Sequence, residues 1–150
     1  MDSYSASSRH APLIPRSALQ VHGIKRVEGR SWYTEHRGRL WIHAASRTPD
    51  AAEIDALRAA YAHHTDRPFP SDYPTSCLLG CVDVLDCMDL TTYRRERLAS
   101  VGEDSECEFV MLVERPRLLS LPLSMSGDHK LWRLEKRDLA AAERQLVLNK

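Results

Sequence analysis

Apolar positions recur along this chain with two periods. Ile54, Leu57 and Tyr61 stand three and four apart, which predicts a helix packed on a core, capped by Thr48 with Pro49 first and Asp50 in its first turn. Leu139, Ala142, Leu146 and Val147 predict a closing helix over 135–149. A short helix over 15–22 opens on Pro15, carries Ala18, Leu19 and His22 and ends at Gly23. The second period is two. Leu40, Ile42 and Ala44 alternate with Arg39, Trp41 and His43, a strand over 39–45, and 24–30 reads as the strand before it. Residues 77–88 are apolar on both faces and predict a central strand, with Gly80 marking a bend or a close backbone approach. Two further strands, 108–114 and 118–123, are expected to be separate, the second an edge or bulged strand because of Pro122. Asp89 caps a short helix to about residue 100, and 130–134 adds a last strand. Helices inserted irregularly between strands argue for an α+β fold, a small and partly closed β-barrel flanked by helices.

The chain has 150 residues, 43% of them hydrophobic, enough for one domain with a real core. Residues 15–150 form that domain; the polar, serine-rich 1–14 read as a flexible or altered leader. No apolar run reaches the roughly 18 residues of a membrane span, so no membrane partner is expected. Cys77, Cys81 and Cys87 share odd numbers within one strand and should share a face as small buried hydrophobes. No C-x-x-C pair is present and no His follows the cysteines at zinc-finger spacing, so neither a metal nor a cofactor is called for.

Net charge is zero but unevenly placed. Residues 83–114 hold nine acids against three arginines, and Asp83 must be paired within its apolar strand. Residues 23–39 hold Lys25, Arg26, Arg30, Arg37 and Arg39 against Glu28 and Glu35, with Trp32, Tyr33 and His36 among them and the hydroxyls of Ser31 and Thr34. Cations neutralise phosphate and flat rings stack on bases, so this stretch suits a ligand carrying both. It equally suits a solvated hairpin whose arginines keep the surface soluble.

The run G-I-K-R-V-E-G-R-S-W-Y-T-E-H-R-G-R-L-W-I, with D-Y-P-T-S-C-L-L-G-C-V-D-V-L-D-C and K-L-W-R-L, resembles the activating signal cointegrator homology (ASCH) domain over about 15–150. The resemblance implies a PUA-like β-barrel and a cationic cleft that takes nucleic acid. Residue by residue, it implies binding roles for Lys25, Arg26, Glu28 and Arg30, for Ser31, Trp32, Tyr33, His36 and Arg37 in the following loop, and for Lys130, Trp132 and Arg133 on a late strand. The family's Q-P-W or Q-P-Y entry is changed to Ile14-Pro15-Arg16, so the first strand is expected to be replaced or compensated.

The implied function is a nucleic-acid-binding module of a transcription coactivator, largely sequence-independent, monomeric, nuclear and cytoplasmic, on single- or double-stranded DNA or RNA. Two alternatives stand beside it. One is a module that docks other coactivator subunits through the acidic segment 83–114. The other is an amidohydrolase acting on a modified nucleoside, although Glu28 stands where such relatives carry a threonine nucleophile.

Overall fold

The computed structural model describes residues 4–7, 16–128 and 131–148, with side chains over 16–128 and 131–146. The elements run β1 (Tyr4–Ser7), α1 (Arg16–Val21), β2 (Val27–Arg30), β3 (Gly38–Ala44), α2 (Ala51–Tyr61), β4 (Cys77–Asp89), α3 (Leu90–Glu96), α4 (Leu98–Val101), β5 (Phe109–Ser124), β6 (Leu131–Arg133) and α5 (Lys136–Leu148). One sheet takes all six strands in the order β2-β5-β4-β3-β1-β6. The class is α+β. The expected barrel does not close: β2 and β6 are edges and do not pair with each other. Strand β1 lies inside the segment read as a leader, where it runs parallel to β3 and antiparallel to β6. It supplies hydrogen-bond partners that the edge of β3 needs. Leu13, Ile14 and Pro15 lie outside the described residues. No helix among the described residues is long and apolar enough to cross a membrane.

Strands β4 and β5 form the spine of the sheet, and three register shifts interrupt their ladder. The expected strands 108–114 and 118–123 are a single strand. It passes through Arg115 and Pro116 because a bulge absorbs the proline without ending the pairing. Bulges also divide the cysteines. Cys77 and Cys87 pack with Leu79, Val82 and Val84, whereas Cys81 packs with Leu78, Trp41 and Leu119 on the other side. A period of two survives only between bulges. Burial pushes all three thiols upward in pKa, leaving them poor nucleophiles.

Gly80 lies tight against the backbone of β5, and a Cβ there would come 2.1 Å from the carbonyl oxygen of Arg117. Between the pairs Leu78–Leu123 and Gly80–Leu118, one residue of β4 faces four of β5. In that bulge Gln145 of α5 serves both backbone groups of Leu121. Its Nε2 donates to the carbonyl at 2.8 Å, and its Oε1 accepts from the N–H at 3.1 Å.

Helices cover both faces. Ala18 and Val21 of α1 enter the core of β3, β4 and β5, while Leu139, Ala142 and Leu146 of α5 meet Trp41 and Leu134. Leu57 of α2 packs on Leu19 and Ile24, a burial contributing about 1.5–3 kcal/mol. The cap of α2 is Asp50 rather than Thr48: its carboxylate accepts from the Glu53 N–H at 2.8 Å. Asp89 caps α3 in the same way. Gly23 takes φ +76° and turns the chain out of α1, so that the Ile24 and Lys25 N–H groups both bond back to Leu19.

Candidate functional site

The tight turn after α1 determines what becomes of the basic stretch. It carries Lys25 inward rather than out to solvent, and Lys25 is only 4% exposed. Its Nζ donates to Glu103 Oε2 at 2.8 Å and to the Tyr61 hydroxyl at 3.2 Å. The Glu103 carboxylate also accepts from the Arg26 N–H at 2.9 Å and the Tyr61 O–H at 3.1 Å. Burial pulls the Lys25 pKa down, but Glu28, Glu103 and Tyr61 outweigh it and hold the ammonium above its usual range. Lys25 is therefore a fixed cation and not a base.

On β2, Glu28 and Arg30 point to the same side and pair with each other, and Gln20 of α1 donates to the second carboxylate oxygen. Both are buried. They line a slot with Ser17, Leu40, Ile42, Met111 and Val113 whose volume is about 10 Å³, roughly the room of one water. No base or phosphate enters it without rearrangement. Arg26 is exposed, and its guanidinium donates to the Val101 carbonyl.

The loop after β2 behaves differently. Ser31 is exposed and Trp32 half-buried. Tyr33 is 49% exposed and rests edge-on against Phe109 at 6.0 Å. Arg37 clamps the loop by donating to the Thr34 and His36 carbonyls, both at 3.0 Å, and its second nitrogen reaches Tyr33 Oη at 3.4 Å and Asp86 at 3.2 Å. The ring of His36 bonds the Arg39 carbonyl at 2.7 Å.

His36 and Arg37 open onto the main groove, about 750 Å³, whose remaining walls are Gly38, Arg39, Asp83, Arg115, Pro116, Arg117, Leu139 and Glu143. Four arginines thus converge there against two carboxylates. Arg39 approaches Glu143 at 3.9 Å, and Asp83 is shared by Arg115 and Arg117. The expectation that Asp83 must be paired holds. Lys130 lies outside the described residues. Trp132 is half-buried against His43, 5.7 Å away and edge-on, and Arg133 is exposed; both are on β6, at the opposite edge of the sheet from β2. The eleven candidates among the described residues are therefore not one cluster. The motif on β2 is a closed core network, the loop reaches the groove, and Trp132 and Arg133 of β6 are not among the groove's walls.

Arg39 figured only as one cation of the basic stretch, and Arg115 and Arg117 not at all. The signal for the last two was R-P-R, arginines two apart around a proline, at the place where two predicted strands meet.

The model of the ASCH domain family matches residues 18–122, from α1 through the β2 motif into the bulged half of β5. The chain belongs to this family. It is 40% identical over 135 residues to "Activating signal cointegrator 1" of Homo sapiens and, to the same extent, of Mus musculus. That alignment covers 89% of this chain and 23% of each relative, so the chain spans less than a quarter of their length. Among solved structures, ASCH from Zymomonas mobilis aligns with a TM-score of 0.54 at 16% identity, over 97% of this chain and 94% of that one. A point mutant of the same protein aligns at 0.52 and 14%, over 98% and 96%. At such identities the likeness is one of fold.

Proposed function

We propose that this chain is a nucleic-acid-binding module, the ASCH domain of a transcription coactivator, which contacts phosphates in the groove between the β2–β3 loop, the β4–β5 bulge and α5. The observation that carries this is the convergence of Arg37, Arg39, Arg115 and Arg117, with His36, on one groove of a chain with no net charge. Guanidinium groups bind phosphate bidentately and read no base by doing so, so binding is largely independent of sequence. Tyr33, exposed beside Arg37, offers a ring for stacking at the rim. The bent sheet with flanking helices is in this reading a PUA-like fold left open at one side. The partners are single- or double-stranded nucleic acid and, through the longer proteins such domains belong to, coactivator subunits. The chain acts as a monomer in nucleus and cytoplasm.

An amidohydrolase reading is weaker, because Lys25 is held protonated and Glu28 lies in a slot closed by Gln20 and Arg30. A docking face over 83–114 is also weaker: Asp83, Asp86 and Asp104 pair with arginines and Glu103 is buried.

The test is fluorescence anisotropy with short labelled single- and double-stranded DNA and RNA at two salt concentrations. Binding that weakens as salt rises, and weakens again in Arg37→Ala/Arg39→Ala, supports the proposal. Absence of binding to all four at low salt sinks it.

A further inference from the structure

The groove contains a feature that a simple basic patch lacks. Arg115 Nε stands 2.8 Å from Asp83 Oδ2 in an ion pair, and Asp83 Oδ1 accepts from Arg117 Nη2 at 3.2 Å. Two guanidinium groups thus hold one carboxylate between them, and guanidinium groups pair with phosphate oxygens as they do with carboxylate oxygens. The arrangement is built by the backbone. Cys81 pairs with Arg117 and Asp83 with Glu114, so β5 has one residue more than β4 over this interval. Arg115 absorbs the difference at φ +49°, a left-handed conformation disfavoured for any residue with a Cβ. Across that irregularity residues 115 and 117 both reach the same carboxylate. Arg115 stays largely exposed, with Glu114 at 3.6 Å as its other acidic neighbour, while Asp83 is mostly covered. Arg37 and Arg39 line the same groove, and Arg39 is the cross-strand partner of Asp83 on β3.

We infer that Arg115 and Arg117 form a phosphate subsite in which Asp83 is a built-in competitor. A phosphodiester entering the groove takes over the two guanidinium groups from the carboxylate. Asp83 then sets how tightly the groove holds an anion and keeps it from binding every polyanion strongly. The inference rests on the nucleic-acid reading for its natural ligand. The clamp itself is a claim about phosphate and is tested with inorganic tripolyphosphate as well.

The experiment compares wild type, Asp83→Asn and Asp83→Asn/Arg115→Ala, each checked by melting temperature. The probes are a labelled single-stranded DNA and tripolyphosphate. Asp83→Asn is expected to bind both about tenfold more tightly, as removing one nearby like charge implies, and the added Arg115→Ala change is expected to reverse the gain. Unchanged or weaker binding by a folded Asp83→Asn overturns the inference. Should Asp83→Asn not fold, the wild type decides through its arginine Nε–H resonances: those of Arg115 and Arg117 must move when tripolyphosphate is added, and their failure to move overturns it. DNA binding that leaves these two resonances in place removes the clamp and keeps the nucleic-acid reading. Tripolyphosphate shifts without DNA binding keep the clamp and remove that reading.

Discussion

Lys25 and Glu103 stand 78 positions apart in sequence and 2.8 Å apart in the fold. Both are buried, and the carboxylate also receives the Arg26 N–H and the Tyr61 hydroxyl. Breaking such a pair leaves a charge in the core with nothing to balance it. Glu103→Gln is expected to cost about 3–5 kcal/mol of stability in urea unfolding. Lys25→Met/Glu103→Leu should lose markedly less than the sum of its single changes, because neither charge is then stranded. Additive losses would show that the pair does not act as a unit.

The same network governs alkaline behaviour. Lys25 and Tyr61 both have pKa values raised in the fold, the lysine because its carboxylate neighbours outweigh burial, the tyrosine chiefly by burial. Each therefore keeps its proton in the native state at a pH where the unfolded chain has released it. Their contribution is complete below the ordinary values near pH 10 and falls as pH rises through the folded ones. Unfolding free energy should decline above about pH 10, and Tyr61→Phe should flatten that decline. An unchanged slope in Tyr61→Phe would argue against the assignment.

Arginines of one short stretch should separate cleanly into two classes. Arg30→Ala strands Glu28 in a closed slot and is expected to lower stability by about 3 kcal/mol. Arg39→Ala faces the groove and an exposed partner, Glu143, so its stability change should stay under about 1 kcal/mol. Binding should show the reverse. Arg39→Ala reduces the salt dependence of nucleic-acid affinity by roughly one phosphate, while folded Arg30→Ala keeps it. Thermal melts and salt titrations on the two variants check both halves.

Gly80→Ala places a Cβ against the Arg117 carbonyl, a backbone atom that cannot swing aside. The spine of the sheet must part there. The expected loss is about 4 kcal/mol or more, or outright failure to fold, judged by circular dichroism and urea titration. A variant as stable as wild type would mean that β4 and β5 separate easily at this bulge.

Much of the architecture could be read from periodicity. The helices around Leu57 and Ala142, the central strand over 77–88 and the glycine stop at Gly23 all stand where the pattern put them. What misled was parity. The faces of β4 exchange on either side of Gly80 and again near Leu85, so Cys81 leaves the face it was expected to share with Cys77 and Cys87. The candidate site was legible in part for a related reason. Charge density marks 23–39 as unusual, but Lys25 is buried against Glu103, distant in sequence, and Arg30 against Glu28, whose other oxygen is held by Gln20 of α1. Local composition carries no record of a partner from another element. Arg115 and Arg117 went unnoticed because their value depends on an irregularity in strand pairing that R-P-R only hints at.

Gln145 satisfies both backbone groups of Leu121 within a defect of the sheet. An apolar helix face can slide, since one leucine replaces another at little cost. A side-chain amide engaged with a single residue cannot. Moving α5 by one turn, about 5.4 Å, would undo both bonds at once. The final helix is thus keyed to one notch, and a change in the length of the segment before it cannot be taken up by slippage.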